Sequence, residues 1–151
     1  MIQRVQSLYM FIIFVVCILL LFLPLAVYYP GGDEGTLKLF NVDKFLDNSM
    51  FYMVALNILL IAMTLLIIYA FFLYKKRIRQ NIIIAVVFFI NALFIGGIYL
   101  LTDRVAEKIG VLTIDYKIGC LLPLISLVLL IFTSKAIRKD EARVRAADRL
   151  R

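Results

Sequence analysis

Four long apolar stretches, at 8–28, 50–74, 82–101 and 118–136, dominate the chain, and their cores contain no Asp, Glu, Lys, Arg or His. A run of about 20 apolar residues is what an α-helix needs to cross the ~30 Å hydrocarbon layer of a bilayer. Each of the four meets that length. The composition leaves little room for another solution. Of 151 residues, 64% are hydrophobic, against roughly 45–50% in soluble domains. So short a chain has no interior large enough to hide that excess. The expected fold is all-α and transmembrane: a four-helix bundle in up-down-up-down order over 1–136, followed by a basic helical tail over 137–151. The first run exceeds the 7–15 residues of a signal-peptide core, so it is read as a retained span.

Charge gives the spans a direction. Lys75, Lys76, Arg77 and Arg79 are packed into the short turn between the second and third runs. Lys and Arg are held on the cytoplasmic side during insertion. With Arg4 and the seven bases from Lys135 onward, this turn defines one basic side. The opposite side carries Lys38, Lys44, Arg104, Lys108 and Lys117. Both termini are therefore expected in the cytoplasm. The net charge of +7 points to anionic lipid head groups and not to nucleic acid, because the bases sit at span ends and in the tail.

The segments between spans carry weaker signals. Pro24 is expected to bend the last turn of the first span. Thr36-Leu37-Lys38-Leu39-Phe40-Asn41-Val42 partly alternates and reads as a short strand. Residues 111–114 are its expected partner, giving a short β element in the outer loops. Asp47-Asn48-Ser49 reads as a helix cap. The segment 102–109 reads as a short surface helix stopped by Gly110. Asp33, Glu34, Asp43 and Asp47 lack a dense cation-binding spacing and read as solvated surface. Gly96-Gly97 allows close helix approach or a kink. In the tail, Glu141 and Arg145 have the favourable i,i+4 order.

Chemistry is hard to find. With no histidine, the commonest general base and metal ligand is missing. Cys17 and Cys120 lie at different depths and have no CxxC neighbour, so both read as buried thiols. Functional sites inside membranes usually need an ionisable group, and the span cores have none. The chain is therefore expected to be neither an enzyme nor a cofactor protein, and no catalytic, cofactor or metal residue is assigned. Asn57 and Asn91 are expected to form interhelical polar contacts. Thr64 follows Asn57, and Thr133 follows Ser126, after two helical turns.

The two ends carry a resemblance. The opening Met1-Ile2-Gln3-Arg4-Val5-Gln6-Ser7-Leu8-Tyr9 and the ending Ile137-Arg138-Lys139-Asp140-Glu141-Ala142-Arg143-Val144-Arg145-Ala146-Ala147-Asp148-Arg149-Leu150-Arg151 together resemble a family of small four-span inner-membrane proteins of unknown function from Bacteroidetes-type bacteria. The resemblance implies a four-helix membrane protein and supplies no activity. Both end motifs fall on the expected cytoplasmic face.

The function expected from these features is a non-catalytic accessory or scaffolding subunit of an inner-membrane assembly. Arg4, Lys75, Lys76, Arg77, Arg79, Arg138, Lys139, Arg143, Arg145, Arg149 and Arg151 would contact a protein partner or anionic lipid. The alternative is an oligomeric carrier of lipid or a small apolar solute, with Gly96-Gly97 as a gate.

Overall fold

The computed structural model describes residues 3–29, 35–39, 50–74, 76–110 and 114–149. These residues form four helices, α1 (Gln3–Phe22), α2 (Met50–Phe72), α3 (Arg77–Ile109) and α4 (Ile118–Arg149), and three short strands, β1 (Ala26–Tyr28), β2 (Gly35–Leu37) and β3 (Ile114–Tyr116). All four helices are long and apolar enough to cross a membrane. α1 packs on α2 and α4, and α3 packs on the same two, so the helices form a four-sided bundle.

The buried positions explain why the helices meet along these faces. Along α3 the seam runs through Gln80, Ile84, Val87, Asn91, Phe94, Ile98, Leu101 and Val105, with Thr102 and Ala106 buried beside its last positions; along α4 it runs through Ser126, Leu130, Thr133, Ile137 and Asp140. Steps of three and four alternate along both helices, as they do from Gln6 to Leu20 in α1 and from Met53 to Ala70 in α2. A seam of period 3.5 is the pattern of left-handed coiled-coil packing. Between helices in lipid, side-chain fit holds such a seam together, because the acyl chains are as apolar as the core. Large residues therefore remain on the outside: Phe11, Phe51, Phe72, Phe89 and Leu93 are all exposed.

Span 1 is shorter than its apolar run. The run to residue 28 reads as one helix, but α1 stops at Phe22. Leu23 donates the last helical hydrogen bond, to Leu19 at 3.0 Å. Pro24 has no N–H and disfavours helical geometry in the residue before it. The chain then extends, and Leu25 N–H donates to the Leu37 carbonyl at 2.8 Å. Ala26–Tyr28 becomes the central strand of a sheet in the order β2-β1-β3. Both pairings are antiparallel, with Val27 opposite Thr36 on one side and Asp115 on the other. The expected pairing of the two loop segments with each other is thereby corrected. Each pairs with β1 instead, because β1 is the fully buried strand and can satisfy neighbours on both edges. Residues 40–42 and 111–113, the Asp47-Asn48-Ser49 cap and the four loop acids lie outside the described residues.

Two further segments join the long helices. The bases Arg77 and Arg79 form the first turn of α3, not a separate loop. Residues 102–109 are its last two turns, ended by Gly110 with φ 70°. That left-handed conformation favours glycine and closes helix ends. α4 runs through Pro123 and past residue 136 to Arg149 without interruption. At 1.5 Å per residue, α3 and α4 are each about 48–50 Å long and overhang a ~30 Å hydrocarbon layer.

Candidate docking surface at the basic end

The sheet closes one end of the bundle. Tyr28 Oη donates to the Thr102 carbonyl at 3.3 Å, and Thr102 Oγ1 lies 3.4 Å from Tyr116 Oη. The Tyr99 and Tyr116 rings pack with centroids 5.5 Å apart. Burial pushes the Tyr28 hydroxyl above its ordinary value, and the nearby Tyr116, Cys120 and Asp103 push it further. The phenol thus stays protonated and remains a donor. Cys120 Sγ donates to the Leu25 carbonyl at 3.1 Å. Both cysteines are free and buried.

The other end is closed by polar side chains that occupy the final positions of the buried seams. Gln6 Nε2 on α1 donates to the Ala136 carbonyl on α4 at 3.0 Å. Gln80 Nε2 on α3 donates to the Ala70 carbonyl in the last turn of α2 at 3.0 Å, where that carbonyl also accepts the Leu73 N–H at 3.2 Å. Asp140 on α4 faces Arg77 on α3, with Oδ2 and Nε 3.1 Å apart. Both side chains are mostly buried. Ser134 Oγ donates to Asn81 Oδ1 at 2.8 Å, again from α4 to α3. Each link joins different helices; three of them reach α4, and of these the Arg77–Asp140 pair lies on its overhanging part.

The cations assigned from the sequence divide accordingly. Arg77 is held inward by Asp140. Lys76, Arg79, Arg138, Lys139 and Arg143 are exposed at this same end. Lys75 and Arg151 lie outside the described residues, and for Arg4, Arg145 and Arg149 only the helical backbone is described. Lys135 and Arg138 stand at one end of a groove between α3 and α4, whose walls include Ala85, Phe88, Phe89 and Ile131.

The two asparagines have different partners. Asn91 is fully buried, and its Nδ2 donates to the Pro123 carbonyl at 3.0 Å and to Ser126 Oγ at 2.8 Å, both on α4. Asn57 was expected to reach a neighbouring helix. Its Nδ2 donates instead to the Leu39 carbonyl, just after β2, at 2.8 Å. Its position near the sheet end of α2 puts that carbonyl within reach. Thr64 and Thr133 bond back to their own helices, at Leu60 and Leu129. Gly97 backs onto Leu56, and α3 continues through it.

Sequence reasoning singled out neither Gln6, Gln80 nor the Asp140–Arg77 pair. The signal was present: continuing the 3-4 spacing from Met10 leads back to Gln6, from Ile84 back to Gln80, and from Ile137 on to Asp140. Among the described residues, no group of three His, Cys, Asp or Glu side chains could hold a metal ion.

The family described as Domain of unknown function (DUF4293) matches residues 2–150. The chain belongs to the DUF4293 family. No curated protein matches the sequence. As the DUF4293 match spans nearly the whole chain, it takes in all four helices and the sheet cap together with the overhanging part of α4.

Proposed function

We propose that this DUF4293 protein is a non-catalytic accessory or scaffolding subunit of a bacterial inner-membrane assembly. Both termini are cytoplasmic in this reading, and docking uses the basic turn and tail. The observation that carries it is the unbroken course of α4 from the apolar core to Arg149, tied to α3 at Asp140. A tail held in this way offers a rigid cationic helix at a fixed angle, which a binding partner need not order first. The crowding of Lys and Arg at this end supports the cytoplasmic orientation. The core shared by the four helices is filled by Leu60, Met63, Val87, Phe94 and Leu130, each no more than 1% exposed. That filling favours a subunit over the alternative, a carrier of lipid or small apolar solute.

Gentle extraction with a tag inserted between β2 and α2, followed by mass spectrometry of what co-purifies, tests the reading. The expected result is one protein partner in stoichiometric amount, lost when Lys139, Arg143, Arg145 and Arg149 are reversed to Glu. A partner that survives the reversal, or a lone oligomer carrying one small molecule, overturns it.

A further inference from the structure

Two grooves run along the outside of the bundle near its basic end. One, between α1 and α2, is lined by Met10, Phe11, Phe14, Ile67, Ile68 and neighbouring phenylalanines, and it has no charged wall. The other, between α3 and α4, encloses about 290 Å³. Its walls are apolar along most of their length, and it ends at two cations, Lys135 and Arg138. The two lie one helical turn apart on the same face of α4. Neither forms an ion pair among the described residues, and no carboxylate lines the groove. Their depth is also informative. Asn91 and Ser126 lie near the middle of the apolar lengths of α3 and α4. Lys135 lies about 13 Å further along α4 at 1.5 Å per residue, close to half of the ~30 Å hydrocarbon layer. The cations therefore stand at the level where acyl chains give way to phosphate.

We propose that the α3–α4 groove is a binding site for one anionic phospholipid. An acyl chain lies over Ala85 and Phe88, and the phosphodiester meets Lys135 and Arg138. Arg contributes planar, paired donors to phosphate and Lys a point charge. The uncharged α1–α2 groove offers the same kind of apolar wall without those cations, so it takes bulk acyl chains without selecting a head group. The site requires the bundle to lie across a membrane and does not depend on a protein docking at the tail.

The test is native mass spectrometry of the full-length protein released from mild detergent in an equal mixture of phosphatidylglycerol and phosphatidylcholine. The wild-type protein is expected to retain a single phosphatidylglycerol, at least about tenfold over phosphatidylcholine. K135Q/R138Q is expected to lose that preference. A85F, which fills the groove without changing charge, is expected to lose the bound lipid, while K139Q/R143Q keeps it. Circular dichroism checks that each variant retains its helix content. Equal retention of both lipids by the wild-type protein overturns the proposal. So does a bound lipid that survives A85F, or an equal loss in K139Q/R143Q, which would mean diffuse attraction to the basic end. A lipid-free dimer broken by A85F also overturns it, since the groove would then be filled by a second copy.

Discussion

Asn91 shows how a single polar residue can set the pairing of two helices in lipid. Its amide donates two hydrogen bonds to α4, at a level where water cannot supply substitutes. Interhelical hydrogen bonds in membranes contribute about 0.6 kcal/mol on average and about 1.7 kcal/mol at most. Asn91→Leu conserves size and removes both bonds. The Ser126 hydroxyl retains its own bond to the Pro123 carbonyl, so little is left stranded. The expected loss is about 1 kcal/mol, measured by reversible unfolding in mixed micelles. Gly119 works by close approach. Its N–H donates to the Pro24 carbonyl at 3.2 Å, and a Cβ there would overlap that carbonyl and sit 3.2 Å from Leu25 Cδ2. The obstacle is backbone, so no rotamer change relieves it. Gly119→Ala should cost on the order of 1–3 kcal/mol, as overpacking does, and lower the thermal midpoint.

Among the elements, α4 carries an ion pair on the part that overhangs the apolar core. Arg77 and Asp140 are neither surface ions nor fully buried ones. Breaking the pair should cost more than the ~0.2–1 kcal/mol of an exposed bridge and less than the ~3–5 kcal/mol of a fully buried one. Asp140→Asn is expected to speed proteolysis and hydrogen exchange over 141–149 while 118–136 stays protected. The swap R77D/D140R should restore protection. The elements also differ in how legible they were. The four helices could be read because each repeats its apolar pattern over many turns. β1 could not, because Ala26, Val27 and Tyr28 are all buried. Three residues buried on every side show neither a period of two nor one of 3.6, and only Pro24 marked the break. The basic cluster was visible as charge, whereas its organisation was not. Gln6 and Gln80 look like ordinary polar residues beside bases, and Asp140 looks like a stray acid in a basic tail. Only their place on the buried seam distinguishes them.

At the scale of the whole molecule, the two ends are built differently from similar seams. One end is closed by backbone pairing between segments distant in sequence, the other by side chains that link the helices directly. The sheet end carries the Tyr28, Tyr99 and Tyr116 hydroxyls and rings, and the opposite end carries the exposed bases Lys76, Arg79, Arg138, Lys139 and Arg143. Chain order places a constraint on the first of these. β1 directly follows α1, but its second edge is paired by β3, which leads into α4. During synthesis the first helix is therefore complete long before its own following strand can be. Until the third helix has threaded and its far end has returned to the surface, Ala26–Tyr28 has one edge without its native partner. The cap can close only after α3 is complete, and its closure records that the three helices before β3 have arrived.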